Sequence, residues 1–135
     1  MDCLFCKIIA KQIPSEIVYE DAKVIAILDI NPNKQGHTLV IPKVHSDNMA
    51  VAEDADLAAL VFTVKKIAPA IVAATGADGW NLEASNGDAA GQVVMHTHWH
   101  VIPRHLDDGL KHWPSHPYAE GELKNIGEKI RNKII

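Results

Sequence analysis

Residues 95–104 read Met95-His96-Thr97-His98-Trp99-His100-Val101-Ile102-Pro103-Arg104. In a strand, alternate side chains take opposite faces, so His96, His98 and His100 share one face while Thr97, Trp99 and Val101 take the other. A strand rises about 3.3 Å per residue, which spaces successive imidazoles by roughly 6.5–7 Å. A helix would rotate each one by about 200° from the last, because it turns about 100° per residue. Only a strand makes a site of them. Pro103 is read as its end, since proline donates nothing to a ladder. The array is internal and alternates with apolar residues, unlike a terminal histidine tag. Two chemistries fit it: ligation of a metal such as zinc, and nucleophilic attack by a neutral imidazole.

Working outward, apolar alternation and turn residues predict four further strands. Ile17-Val18-Tyr19 and Val24–Leu28 flank the turn Glu20-Asp21-Ala22-Lys23. His37–Ile41 follows the loop Asn31–Gly36 and stops at Pro42, and Trp80–Ser85 precedes the histidine strand. From Glu53 to about Thr75, Leu57, Leu60, Val61, Val64, Ala68 and Ile71 recur at helical intervals, with Gly76 as the natural cap. Pro69 lacks an N–H and its ring opposes the Lys65 carbonyl, so a kink is expected there. A short helix is expected over residues 3–11, from Leu4, Phe5, Ile8 and Ile9. Another is expected over 120–134, where Leu123, Ile126, Ile130 and Ile134 form a stripe that would pack on the body or on a dimer. Short links between consecutive strands favour antiparallel neighbours, with the long helix on one face. The class is α+β, a five-stranded antiparallel sheet with one long helix packed on it.

The chain has 135 residues, 47% of them hydrophobic, which suits one domain with a core. A formal net charge of −4 argues against nucleic acid as a partner. No apolar run is read as reaching the ~20 residues that cross a bilayer, so no membrane role is expected. Met1-Asp2-Cys3-Leu4-Phe5-Cys6-Lys7 does not read as a signal peptide. Two cysteines three residues apart make a poor staple and fit a reducing compartment, so a cytoplasmic location is expected.

His96-Thr97-His98-Trp99-His100-Val101-Ile102 resembles the signature of the histidine triad (HIT) superfamily, in which three histidines alternate with apolar residues. Thr97 is its one departure. Asn86-Gly87-Asp88-Ala89-Ala90-Gly91-Gln92 resembles the phosphate-binding approach to that triad, and Leu28-Asp29-Ile30 and Gly36–Lys43 also match. Four motifs fall in order within roughly residues 3–105, nearest the Hint branch and its bacterial relatives. The resemblance implies a HIT domain over 1–110 and a tail over 111–135, with two sheets pairing into ten strands across a homodimer. Lys111-His112-Trp113-Pro114 is similar to the Hint ending.

An imidazole is largely neutral at pH 7 and needs little activation, provided its second nitrogen holds its proton against an acceptor. The resemblance assigns attack on phosphorus to the central histidine, His98, through a nucleotidyl-histidine intermediate that water then cleaves, without need of a cofactor. His100, His37, Asn86, Gln92 and the backbone N–H groups after Gly91 match the donors to the transferring group. Asp29 matches the acid that accepts from ribose hydroxyls. Leu4, Phe5, Ile8, Ile27 and Ile30 match the wall around the base. Val93 stands where the Hint branch often carries serine near the leaving group.

Cys3-x-x-Cys6 has the spacing of half a zinc site, and His45 and His96 would complete a four-ligand shell. Similar bacterial members hold structural zinc this way, and a filled shell leaves no position for substrate. The expected activity is that of a hydrolase or transferase acting on nucleoside 5′-monophosphoryl conjugates such as phosphoramidates. The alternatives are a dinucleoside polyphosphate hydrolase of the Fhit kind, suggested by Val101-Ile102-Pro103-Arg104, and a nucleotide- or zinc-binding interaction module with little turnover. A hydrolase whose zinc is held by the three histidines directly is a further possibility, and it would lose activity to chelators.

Overall fold

Val24–Leu28 and Thr38–Pro42 are apolar almost without a break, the pattern of strands buried on both faces. In the computed structural model, which describes residues 2–134, they form the centre of the sheet as β2 (Val24–Leu28) and β3 (Thr38–Pro42). With β1 (Ile17–Glu20), β4 (Gly79–Glu83) and β5 (Trp99–Arg104) they make one five-stranded sheet in the order β1-β2-β3-β5-β4. Every neighbouring pair is antiparallel. The fold is α+β, as the sequence implies.

Side-chain alternation sends the two faces of the sheet to different cores. Val24, Ala26, Val40, Trp99 and Val101 pack with Leu60, Val64, Ile67 and Ala68 of the long helix α2 (Asp54–Thr75). Ile25, Ile27, Leu39 and Ile41 pack instead with Cys3, Phe5 and Ile8 around the short helix α1 (Leu4–Ile9). A helix of six residues covers only part of that second face. The uncovered remainder is where the site opens.

The histidine segment differs from its expectation at both ends. The ladder with β3 starts at Val40↔Trp99, so His96 and His98 lie ahead of the strand. They are held instead by the loop after β3: the Thr97 N–H donates to the Ser46 carbonyl at 2.7 Å, and the Ser46 and Thr97 hydroxyls bond at 2.6 Å. Pro103 does not end the strand, which runs to Arg104. Pairing with β3 stops at Val101, so that neighbour never calls for the N–H that proline lacks.

α2 continues past Pro69 as one helix and closes on Gly76, whose φ of 67° is left-handed and whose N–H bonds the Val72 carbonyl. It corrects one expectation: at 22 residues it is long and apolar enough, by length and composition, to span a bilayer. That apolarity serves the sheet, since Leu60, Val64, Ile67 and Ala68 are buried against it. Gly36, in the loop before β3, takes φ +96°, and a Cβ there would lie 2.7 Å from the Thr75 methyl. Only glycine lets the chain pass this close to α2 and deliver His37 into the sheet.

After β5, the Arg104 guanidinium grips Asp108 through two bonds of 2.7 and 3.0 Å. An extended segment then leads to α3 (Glu122–Arg131), inside the expected 120–134. No residue of α3 is buried, and Leu123, Ile126, Ile130 and Ile134 remain exposed. Within one chain the stripe does not pack on the body.

Candidate active site

A cleft of about 440 Å³ opens between α1, the end of β2 and the histidine segment. Leu4, Phe5, Ile8, Ile27 and Ile30 line its apolar side, and Asp29 sits among them where β2 ends. His98, His100, Gly91 and Val93 line the opposite end. Among the lining residues that escaped the sequence reading are Ile13, Pro14 and Leu39. The signal available for them was the apolar character of the α1–β1 turn and of alternate β3 positions.

His98 is buried, and its Nδ1–H donates to the carbonyl of His96 at 2.7 Å. That bond holds the proton on Nδ1 and leaves the Nε2 lone pair free. The ring of Phe5 stands edge-on to it, centroids 4.9 Å apart, and fixes its plane. Burial lowers the His98 pKa below the ordinary 6.5, outweighing the His96 carbonyl and the Asp29 charge, so the ring is neutral at pH 7.

Beside it, two more histidines form a relay whose direction is readable. The backbone N–H of Asn33 donates to His37 Nδ1 at 3.0 Å, so neutral His37 carries its proton on Nε2. That Nε2–H donates to His100 Nδ1 at 2.8 Å, which places the His100 proton on Nε2. His100, 5.0 Å from His98 between ring centroids, therefore presents an N–H donor beside an acceptor nitrogen. Burial, then the neighbouring His98 and His37, push the His100 pKa down to about 4. Burial lowers that of His37 as well.

Other candidates are placed elsewhere. Gln92 is buried with its amide spent on the loop: Nε2 donates to the carbonyls of Asp47 (2.6 Å) and Val94 (3.1 Å), and Oε1 accepts from the Gly87 N–H. Asn86 Oδ1 accepts from the Met49 N–H at 2.9 Å. Both side chains suture the approach loop to the loop after β3 and lie outside the cleft lining, and His37 reaches the cleft only through His100. Among the described residues nothing accepts from the N–H groups of Val93 and Val94, which leaves donors beyond Gly91.

The four expected metal-site residues do converge. Cys3 caps α1 by accepting the Cys6 N–H on its sulfur, which turns both sulfurs to one side. Cys3 Sγ lies 3.4 Å from His96 Nδ1, and Cys6 Sγ lies 3.5 Å from His45 Nδ1 and 3.6 Å from His96 Nδ1. In a tetrahedron with Zn–S of about 2.3 Å and Zn–N of about 2.0–2.1 Å, sulfur and nitrogen stand about 3.5 Å apart and two nitrogens about 3.3 Å. His45 and His96 Nδ1 are 3.1 Å apart. Their other nitrogens are occupied: His96 Nε2–H donates to the Pro42 carbonyl at 2.8 Å and His45 Nε2–H to Asp47 at 3.0 Å. Two lone pairs thus face each other at a distance that calls for a cation between them. The residues fit zinc, and the supporting groups, Asp47 and the Pro42 carbonyl, are the part the sequence reading missed.

Comparison with known proteins agrees with the fold. The family model described as HIT domain matches residues 10–107. The adenosine 5′-monophosphoramidase of Schizosaccharomyces pombe is 41% identical over 136 residues, covering 99% of each chain. The crystal structure of a HIT family member from Bacillus subtilis, 42% identical, has a TM-score of 0.90 over 100% of this chain and 99% of its own. A zinc-bound histidine triad family protein from Mycobacterium smegmatis, 37% identical, has a TM-score of 0.79 over 87% and 85%.

Proposed function

Since the chain belongs to the histidine triad family, we propose that it transfers a nucleoside 5′-monophosphoryl group from an amine or similar leaving group, through His98, to water. The observation that carries the reading is the His98 Nδ1–H bond to the His96 carbonyl, which leaves a neutral, unprotonated Nε2 at the cleft. Nε2 attacks phosphorus, and an N–P bond forms as the bond to the leaving group breaks and takes its electron pair away, an amine nitrogen having first taken a proton from solvent so that it departs as the neutral amine. The imidazolium so formed keeps its Nδ1–H on the His96 carbonyl. Water then attacks phosphorus, the N–P bond breaks back onto His98, and one proton passes to solvent. The His100 Nε2–H and the N–H groups of Val93 and Val94 donate to the non-bridging oxygens, where negative charge gathers. Asp29 accepts from the ribose hydroxyls, and Leu4, Phe5, Ile8, Ile27 and Ile30 wall the base.

Cys3, Cys6, His45 and His96 hold zinc in this reading. Bound zinc supplies a closed structural shell that pins α1 and the first triad histidine and leaves no open position for substrate. The domain spans 1–110 with 111–135 as its tail, and the reduced thiols suit a cytoplasmic enzyme. A homodimer is part of the same reading. β4 is an edge strand, and its partially exposed Trp80 and Leu82 face the α2 side, opposite Pro103 and Val101. A second β4 would extend the sheet to ten strands, and a monomer in sedimentation equilibrium at micromolar concentration would refute that.

The test compares the protein with its His98→Ala variant, following AMP release from adenosine 5′-phosphoramidate and from diadenosine tetraphosphate. The expected result is release from the phosphoramidate that falls at least about a thousandfold in the variant. Preference for the tetraphosphate would favour the dinucleoside polyphosphate reading. A variant with full activity would remove His98 as the nucleophile.

A further inference from the structure

Thr97 is the one residue of the histidine segment that departs from the apolar positions of the family signature, and phosphoryl transfer makes no direct use of it. It stands between His96, whose ring belongs to the metal cluster, and His98, which lines the cleft. Its side chain is buried against Ser46 of the loop after β3, and neither Thr97 nor Ser46 lines the cleft.

Three hydrogen bonds join the two residues. The Thr97 N–H donates to the Ser46 carbonyl at 2.7 Å, and the Thr97 hydroxyl donates to the same carbonyl at 3.2 Å. With its proton so committed, the Thr97 hydroxyl oxygen accepts the Ser46 hydroxyl at 2.6 Å. The peptide group that supplies this N–H also supplies the His96 carbonyl, which accepts the His98 Nδ1–H at 2.7 Å. A trans peptide is planar, with its N–H and C=O pointing in opposite directions, so tying the N–H to Ser46 aims the carbonyl at His98. Hydrogen bonds at the two ends of one polar group also polarise and strengthen each other. Ser46 gives firm support, because the neighbouring Asp47 carbonyl accepts from Gln92 Nε2 at 2.6 Å.

We infer that the Ser46–Thr97 hydroxyl pair is the positioning element that holds His98 in its reactive tautomer, Thr97 acting through the peptide it shares with His96 and touching no substrate. The inference rests on His98 acting as the nucleophile. Thr97→Val keeps a branched side chain but leaves only the N–H bond to Ser46. The His96 carbonyl then loosens from Nδ1, and the single proton of neutral His98 spreads over both ring nitrogens. Fewer molecules present a free Nε2 lone pair. The apolar wall and Asp29 are untouched, so the loss falls on the rate of attack and not on binding.

The experiment compares the full chain with Thr97→Val, Ser46→Ala and Thr97→Ser. It reads single-turnover cleavage of adenosine 5′-phosphoramidate under excess protein, the nitrogen NMR shifts of the His98 ring at a pH where it is neutral, metal content and melting curves. In Thr97→Val and Ser46→Ala the maximal rate should fall about three- to tenfold with half-saturation unchanged. The His98 Nε2 signal should move in both from an unprotonated nitrogen towards a mixture of tautomers. Thr97→Ser restores the hydroxyl and should bring back most of the rate and the Nδ1–H signature. An unchanged rate and tautomer in Thr97→Val, or in Ser46→Ala should Thr97→Val not fold, would overturn the clamp. So would a rate lost with the ring signals unchanged, or lost only in step with the metal. If His98 is required and keeps its proton on Nδ1 in every variant, the clamp alone fails. If His98→Ala retains full activity, or His98 of the unaltered chain carries its proton on Nε2, the nucleophile reading fails and the clamp with it.

Discussion

Replacing His37 with leucine isolates the histidine relay from the rest of the site. His37 is 6% exposed, and its Nε2–H is the donor that places the His100 proton on the cleft-facing nitrogen. Leucine removes that donor and leaves His100 Nδ1 a buried acceptor without a partner, at a cost of about 1–3 kcal/mol. His100 relieves the cost by shifting its proton to Nδ1, and so loses the Nε2–H that is proposed to meet the phosphoryl oxygen. Complete loss of such a donor costs about 2.7–4 kcal/mol in the transition state. Because a mixture of tautomers retains part of it, kcat should fall about 10- to 100-fold, equivalent to roughly 1.4–2.8 kcal/mol. KM should change little, since the apolar walls are untouched and Asp29 stands 3.8 Å from His37 Nε2, beyond hydrogen-bonding distance. His37→Gln keeps an N–H donor at this position and should recover part of kcat. Steady-state kinetics on adenosine 5′-phosphoramidate, with melting curves to confirm folding, read the split. A folded leucine variant with unaltered kcat, or one in which only KM rises, would refute the relay.

Stability should fall with acid in a definite window. The folded pKa of His100 lies near 4 and its unfolded value near 6.5, so between these the unfolded chain binds a proton that the folded chain refuses. Folding is therefore favoured fully above about pH 6.5 and loses stability as pH falls towards 4, by about 2 kcal/mol at pH 5 from this residue alone. Urea titrations at pH 7 and pH 5 read the difference, and a slope unchanged in His100→Gln would contradict it. Chelation of zinc, or Cys6→Ser, should lower the melting temperature and weaken AMP binding together, because Cys3 and Cys6 flank Leu4 and Phe5 of the cleft wall. Calorimetric titration with AMP, alongside metal analysis, checks this. Undiminished affinity in a metal-free protein would mean that α1 holds its place without zinc.

Much of the site was legible because alternation is a local rule. His96, His98 and His100 do share the side of Phe5, while Trp99 and Val101 go to α2, although the ladder begins only at Trp99. The Cys3-x-x-Cys6 spacing marked half of a metal shell, and the family resemblance supplied His45 and His96. The motif alone gave no means of separating side chains that face the cleft from those that hold its loops. Gln92 and Asn86 carry the same amide, and whether it meets a substrate or, as here, the Asp47 carbonyl and the Met49 N–H respectively depends on where the loop after β3 lies.

From the chain itself come the strands, the two helical stripes, the face each histidine takes and the family, since these rest on periodicity and on motifs within a few residues. Tertiary structure alone decided the tautomers. The Asn33 N–H, the His96 carbonyl and the Pro42 carbonyl direct three imidazoles, and backbone groups of this kind look alike at every position until folding aims them. It also decided that Val93 borders both the histidine cleft and the cavity beside Cys3 and His45. Proton position depends on where backbone groups point, whether near in sequence, as the His96 carbonyl is to His98, or far, as the Pro42 carbonyl is from His96, and the fold is what aims them.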